Sequence, residues 1–522
     1  MILARRRIMM GSLAPMDSIL VTMTPTAGFT VGFNLTFTGD IFIDFKDGGG
    51  KEALTSGVEK THLYVSAGTY IAEITGNLEN ITKFIADNSR ITNISDLKTG
   101  LLTDFRINNN LYTGVIDMSL APVSGIFQVQ INSGLTGIIF ASLGNAKITL
   151  FYGFSCNLTG TLDLSNVPIG GAFLVVSNSN LTGITFSNSG NTLVSDFEIN
   201  ACNITGTIDL TNVPVGPKFY IHTNSLLTGI TFSSTGNFKF TDFRAYGCNL
   251  SSLDLTNNPI GGTFWVSSNT ALSSITFSST GNTLVTYFSV VQSALTSLDL
   301  TNVPIGTTFL VNLSSLLTSI TFSTTGNSII TNFDASACNI IGTLNLANIP
   351  IGTKFYAYNN SSLSVITYSS SGNSIVTDLR VHSCALTALD LSNVAVSTTL
   401  FCYLNSGLTS VTFASSGNGT MQNFQMYSCS LGYVDFTGSG LNFSSNNCSL
   451  RLDSNGKTAT EVNHTLVDLY VLVSAEGVGG DYTGRLINES GTNAAPDGTS
   501  GGYDGLAAKA NLISKGFTVT TN

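Results

Sequence analysis

Charge is what this chain lacks most: Asp, Glu, Lys and Arg together make up 10% of its 522 residues, against about a quarter in ordinary globular proteins. The apolar fraction is nonetheless 43%, so the low charge does not mark a disordered chain, whose defect is too little apolar side chain to form a core. Histidine is scarce as well. The four, His62, His222, His382 and His464, are scattered, and none has the spacing of a metal-ligand motif. No apolar run reaches the ~18 residues that suggest a membrane span, so membrane insertion is not expected. With 10 Pro and 52 Gly placed without a three-residue period, a collagen helix is excluded. Basic clusters are missing beyond Arg5, Arg6 and Arg7, and the net charge is -10. A phosphate backbone would find no footprint, and nucleic acid is not an expected partner. The segment after that triplet, IMMGSLAP, is too short and broken for the core of a secretory signal. Export by the general route is therefore not expected, and Met16 is as plausible a start as Met1.

What the chain does have is a repeat. Six of its eight cysteines, Cys156, Cys202, Cys248, Cys338, Cys384 and Cys429, recur at intervals of 46, 46, 90, 46 and 45, with Ser293 at the missing rung. Pro122, Pro168, Pro214, Pro259, Pro304 and Pro350 keep the same step, as do Gly-Asn pairs beginning at Gly144, Gly190, Gly236, Gly281, Gly326, Gly372 and Gly417. A fixed period of that length signals a solenoid or a propeller. Each period divides again: LTSLDLTNVPIG from Leu295 is answered by LTSITFSTTGN from Leu317. The structural unit is thus a coil of ~23 residues. Within a coil, alternations such as Leu253-Asp254-Leu255 and Phe197-Glu198-Ile199 make two short strands. Stacking the coils predicts two parallel sheets around a narrow core, with Pro and Gly-Asn at the turns and no long helices on the outer face. The six cysteines face that core as reduced thiols, because alternate rungs stand too far apart for a disulfide or a shared metal ion.

The run C-x-L-T-S-L-D-L with Phe four or five residues before the Cys resembles the leucine-rich repeats of BspA-like bacterial surface proteins, over about residues 78–450. It departs from that pattern where alternate coils carry Asn or Ser for Cys. Residues 17–76 read as strands of a small β-sandwich, following an extension at 1–16. Phe45, Asp47, Gly48, His62, Tyr64, Gly68 and Tyr70 resemble landmarks of a polycystic-kidney-disease-type (PKD) domain, with Lys46 where that family has Gly. Residues 451–522 read as an αβ cap, with helices over 459–475 and 502–515 and strands at GRLINESG and FTVTTN. The fold expected is mainly β, a leucine-rich-repeat solenoid between a β-sandwich and a small αβ cap.

Two outward columns carry chemistry. Asp117, Asp163, Asp209, Asp254, Asp299, Asp390 and Asp435 form an acidic ladder interrupted by Asn345. Repetition gives these carboxylates like environments, whereas glycoside hydrolysis needs two with divergent pKa values. No catalytic residue, metal site or cofactor is therefore expected. The other column interleaves aromatics with guanidinium groups. Tyr220, Trp265, Tyr356, Tyr246, Tyr358 and Tyr427, with Arg244 and Arg380 beside them, form a candidate recognition stripe, since rigid rings offer contact area at low entropic cost. The last residues, from GTNAAPDG to the end, resemble the ends of leucine-rich-repeat proteins in phages of Bacteroidetes. That resemblance implies a non-enzymatic virion component, a fibre or spike element in several copies. Its implied partners are a bacterial surface glycan or protein receptor, other virion proteins and further copies of itself. A bacterial cell-surface adhesin and a polysaccharide depolymerase are the competing expectations.

Overall fold

A computed structural model describes residues 17–443, 448–476 and 482–522. The extension at 1–16, with its arginine triplet and alternative start, lies outside the described residues. The chain divides into two compact units, Met1–Phe238 and Lys239–Asn522. The division falls inside the repeat array rather than at either of its ends. Each unit is a mainly β structure containing stacked parallel coils, and two α-helices are found among the described residues.

The first unit opens with β1 (Ser18–Met23), β2 (Phe29–Thr36), β3 (Ile41–Asp44), β4 (Lys51–Ala53), β5 (Glu59–Tyr64) and β6 (Tyr70–Gly76). Alternate residues of β1 to β3 are buried, among them Val21, Phe33 and Ile43. This is the period-2 pattern of strands with one face on a core. Phe33 meets Phe45 across that core, with ring centroids 6.1 Å apart. The turn after β3 puts Lys46 at φ 56, a left-handed conformation costly for a side chain with Cβ. Two carboxylates hold it there, Asp44 and Glu73, each 2.8 Å from Nζ.

The sequence places a boundary at 76–78, but hydrogen-bonded ladders cross it. Strand β2 pairs antiparallel with β7 (Lys83–Ile85), and β1 pairs antiparallel with β8 (Ile91–Ser95). The antiparallel strands thereby cover the edge of the first parallel coil, which would otherwise present unpaired backbone groups. From β7 the parallel sheet runs through Leu102–Arg106, Val123–Gln128, Ile148–Tyr152, Ile169–Leu174 and Val194–Glu198 to Val215–Tyr220.

In the second unit the parallel sheet runs from Phe240–Arg244 and Ile260–Trp265 through Val376–Arg380 and Val396–Phe401 to Asn423–Gln425 and Ser449–Arg451. It does not stop where the repeat grammar stops. Leu486–Asn488 and Thr518–Thr520 add two more parallel strands. Helix α1 (Ala459–Ala475) begins at a capping box made by Thr458 and Glu461, and α2 (Gly505–Ser514) begins at Asp504. Val462, Leu466, Leu469 and Val473 of α1 are fully buried, so the helices cover the core where the outer strands end.

The second face departs from the expected continuous sheet. It consists of separate two-stranded parallel pairs, such as Thr159–Asp163 with Asn180–Thr185 and Ser252–Leu255 with Ser274–Phe277. The cause is the alternation of turns. After the Asp-bearing strand an Asx turn leads quickly to the next core strand. After the Thr-bearing strand, a longer loop carries the Gly-Asn pair. There Asn282 donates through Nδ2 to Ser278 O at 2.6 Å and to Asn302 O, one coil on, at 3.0 Å. It accepts at Oδ1 from Ile260 N–H at 2.9 Å. These side-chain bonds take the place of the missing ladder at every second joint.

Inside, three columns hold each unit's coils together. One phenylalanine in most coils forms a ring stack, with Phe105–Phe127, Phe127–Phe151 and Phe197–Phe219 in the first unit at 5.4, 5.3 and 5.1 Å. The second unit continues the pattern, with Phe264–Phe288 and Phe288–Phe309 both at 5.3 Å. At the turn past most core strands, asparagine alternates with cysteine. Asn178, Asn224, Asn269, Asn360 and Asn405 are fully buried, and Nδ2 of each bonds two or more carbonyls. All eight cysteines are free thiols and seven are buried, while Cys156 is only half-buried. Cys202, Cys338, Cys384 and Cys429 point Sγ at a carbonyl of the preceding coil at 3.1 to 3.3 Å.

Candidate functional site

The residues that end each core strand, and those two positions further on, face away from the core. In the second unit the sheet register aligns Tyr356 with Arg380, Arg380 with Phe401, Phe401 with Gln425 and Gln425 with Arg451. Two positions along lies a stack of four rings. Tyr358 and His382 are 4.7 Å apart, His382 and Tyr403 4.4 Å, and Tyr403 and Tyr427 4.7 Å, with interplanar angles of 13°, 5° and 4°. These distances follow the strand spacing, so the sheet itself sets the stack. The Arg451 guanidinium closes one end, 3.9 Å from the Tyr427 centroid. Beside the stack, Arg380 lies 5.1 Å from both Tyr356 and Phe401.

The eight residues singled out from sequence do not form one stripe. Tyr356, Tyr358, Arg380 and Tyr427 belong to the cluster just described. Arg244, Tyr246 and Trp265 form a second group, in which Tyr246 stacks on Trp265 at 4.0 Å and Tyr287 meets Trp265 edge-on at 5.8 Å. Between the two groups the strand-end position holds Ser289, Leu310 and Asp334. Tyr220 belongs to the first unit, where Lys218 Nζ lies 4.7 Å over its ring and is paired with Glu198.

Sequence reasoning missed Phe401, Tyr403, Arg451 and Tyr287. The missing signal is specific. For Phe401 and Tyr403, the coil has Leu400 where most coils have the core phenylalanine. Counting forward from Arg380 and His382 by one coil would have reached Phe401 and Tyr403.

The electrostatics of this face are close to neutral. Arg244 and Arg380 are held in bidentate bonds by Asp242 and Asp378 at 2.9 to 3.0 Å, and Arg451 is held likewise by Asp453. Burial, followed by the Arg380 charge, lowers the His382 pKa to about 4. The ring is thus uncharged at neutral pH. Burial and the hydrogen bond to Asp378 push the Tyr356 phenol up to about 12. The stacked rings cover one another's faces, so the column offers ring edges and phenol oxygens along its length. Open platforms for sugar stacking are confined to rings with an uncovered face.

The acidic ladder has a structural occupation. Asp254 Oδ1 accepts from the backbone N–H and hydroxyl of Thr256 at 2.9 and 2.6 Å, and Asp209, Asp299 and Asp435 make the same turn. Asn345 does so with Ala347 N–H at 3.0 Å, which explains how the ladder tolerates an amide. Small polar clefts open where the outer ladder breaks. One, of about 270 Å³, is lined by Thr185, Ser187, Asp209 and Asn212. Another, at the equivalent position two hundred-odd residues on, is lined by Thr412, Ser415, Asp435 and Thr437. Among the described residues no group of three His, Cys, Asp or Glu side chains is arranged to hold a metal ion, and no helix is long and apolar enough to cross a membrane. Comparison with protein-family models, curated proteins and solved structures finds no match for the chain.

Proposed function

We propose that the protein is a non-enzymatic host-recognition component of a phage particle, a fibre or spike element present in several copies. The observation that carries this reading is the pinned ring column Tyr358–His382–Tyr403–Tyr427 with its flanking Arg380 and Arg451. Such a surface loses little side-chain entropy on binding, because neighbouring coils already hold every ring. Its partner is a bacterial surface glycan or protein receptor. The paired guanidinium groups favour a neutral ligand that takes hydrogen bonds from phenols over a polyanion. Several copies in one particle would multiply a weak single contact through avidity.

The same reading treats the coils as BspA-like leucine-rich repeats and the first strands as a PKD-type sandwich. The recurring core phenylalanine ahead of most of the repeat cysteines supports the first, and the packing of the landmark rings the second. Phe45 stacks on His62 at 4.1 Å, and Tyr64 on Tyr70 at 4.1 Å. A binding role is supported over glycoside hydrolysis by the engagement of the ladder carboxylates in their own turns.

Mass spectrometry of purified particles, paired with binding of the isolated chain to intact host cells, tests the proposal. The expected result is the protein in virions and cell binding that drops at least tenfold in the combined Tyr403→Ala and Tyr427→Ala variant. Recovery from bacterial envelopes instead would make it an adhesin. Cell binding unchanged in the variant would place recognition on another face.

A further inference from the structure

Lys457 and Glu489 form an ion pair with no solvent exposure on either side chain, Nζ lying 2.9 Å from Oε1. Lys457 precedes α1, and Glu489 follows the strand Leu486–Asn488. Taking two charges out of water is expensive, and a pair seldom recovers the full cost. A carboxamide shares the carboxyl of this pair. The second oxygen of the Glu489 carboxyl accepts from Asn493 Nδ2 at 3.0 Å. The Asn493 carbonyl oxygen, Oδ1, accepts two backbone N–H groups, from Asn455 at 2.9 Å and Lys457 at 3.2 Å. Thr465 Oγ1 steadies the amine at 3.3 Å. An amine and a carboxamide thus hang from the two oxygens of one buried carboxyl, and the amide oxygen already sits in a pair of oxyanion donors.

Asn493 Nδ2 also donates to Leu452 O at 2.9 Å and Glu489 O at 3.1 Å, as rung asparagines do, and Asn110 Oδ1 likewise accepts two backbone N–H groups, so what sets Asn493 apart is the carboxyl and the amine beside it. Asn269 and Asn455 place Nδ2 only against backbone carbonyls. Stacking the coils therefore does not account for the lysine and glutamate added around Asn493.

We propose that Lys457 and Asn493 are joined by an isopeptide bond that the folded chain forms by itself, with Glu489 as the proton shuttle. Glu489 takes one proton from the Lys457 ammonium group, leaving a neutral amine beside a neutral carboxylic acid. The Nζ lone pair attacks Cγ of Asn493, and the developing oxyanion on Oδ1 is held by the N–H groups of Asn455 and Lys457. Glu489 passes its proton to Nδ2 and receives another from Nζ. The Cγ–Nδ2 bond breaks, ammonia leaves, and an amide remains with Glu489 protonated. No oxidant or further reactant is needed, and a buried pair of charges becomes neutral. Burial raises the Glu489 pKa, in the direction that favours the neutral acid.

The test is the intact mass of the full chain under denaturing conditions, with a tryptic map. The expected mass is lower than the sequence mass by one ammonia, about 17 Da. The map should hold a branched peptide containing residues 457 and 493, with no cleavage after Lys457. Glu489→Gln and Lys457→Met should both return the sequence mass. An unmodified wild-type mass with normal cleavage after Lys457 overturns the proposal, whether or not the variants fold. So does the same loss retained in Lys457→Met, which would place it at another asparagine as a cyclic imide.

Discussion

Replacing Asn269 by Ala tests the claim that side-chain amides, and not only ring stacking, hold successive coils together. Asn269 is fully buried. Its Nδ2 donates to Ala245 O and Val266 O, both at 2.8 Å, and its Oδ1 accepts from Leu250 N–H at 3.0 Å. Three hydrogen bonds are lost, at about 1 kcal/mol net each, and the Leu250 N–H is left buried and unpaired at a further ~1–2 kcal/mol. The expected cost is on the order of 4–5 kcal/mol, concentrated at one joint because coils contact mainly their neighbours. Trp265, the chain's only tryptophan, lies four residues away. Urea unfolding followed by its fluorescence reads the joint, and amide exchange at Leu250 reads the stranded donor. Asn269→Ser is the graded control. At the rung where Ser314 stands for Asn, its Oγ accepts from Ser293 N–H at 3.2 Å and lies 3.1 Å from Ser293 Oγ. Asn269→Ser alone should cost less than Asn269→Ala, and adding Cys248→Ser should recover part of the loss. A shift under about 1 kcal/mol in Asn269→Ala, with Leu250 still protected, would refute the reasoning.

Burial raises the thiols of Cys202, Cys338, Cys384 and Cys429 to about 11. The native protein should therefore label slowly at mildly alkaline pH, with half-buried Cys156 reacting first and all eight reacting after denaturation; fast native labelling at Cys338 would contradict the burial. His382, held near 4, should show an NMR titration well below that of an exposed imidazole. Because the unfolded ring takes up a proton near pH 6.5 and the native ring does not, its contribution to stability should fall as pH drops from about 6.5 to about 4 and level off below. His382→Phe should remove that part of the pH dependence; an unchanged stability profile would contradict it. Asp299→Asn should be nearly silent in thermal melts, since Asn345 already makes the same turn, whereas Asp299→Ala should lower the midpoint.

The coil was legible because its landmarks are rigidly periodic. Cys, Pro and Gly-Asn recur once per double coil, and the core Phe recurs in most single coils. The broken outer face was not legible from strand alternation alone. Leu298-Asp299-Leu300 and Ile320-Thr321-Phe322 look alike as strands, and the break depends on what Asn327 does two turns away, donating to Ser323 O and Asn348 O. The ring column was half legible. Spacing put Tyr358 and Tyr427 in the recognition stripe, whereas His382 and Tyr403 sit in coils with Leu379 and Leu400 in place of the core phenylalanine and were not placed there. The ends were harder for a different reason. The ladders β1–β8 and β2–β7 join residues some seventy and fifty positions apart, and no local pattern announces a pairing of that range.

The same hydrogen bonds explain why the sequence repeats every 45–46 residues although the coil repeats every ~23. The Val175 carbonyl accepts from Asn178 Nδ2 of its own coil at 3.2 Å and from Cys202 Sγ of the next at 3.1 Å. The N–H two residues after that cysteine, at Ile204, donates to Asn224 Oδ1 on the coil after it at 3.1 Å. Cysteine can serve at alternate rungs because it is a weak donor that asks for little; asparagine must stand between because it alone supplies an acceptor for the buried N–H. A run of cysteines would leave those N–H groups unpaired, whereas asparagines do follow one another at Asn110 and Asn132 and at Asn455 and Asn493, where the Ile107 and Leu452 carbonyls each accept from both amides at 2.8 to 2.9 Å. Ser293 and Ser314 fit the same logic, since both members of the pair have changed together and now satisfy each other. Where cysteine and asparagine alternate, the buried N–H two residues after each cysteine meets an asparagine one coil on, and there the period of the sequence is the period of its hydrogen bonds.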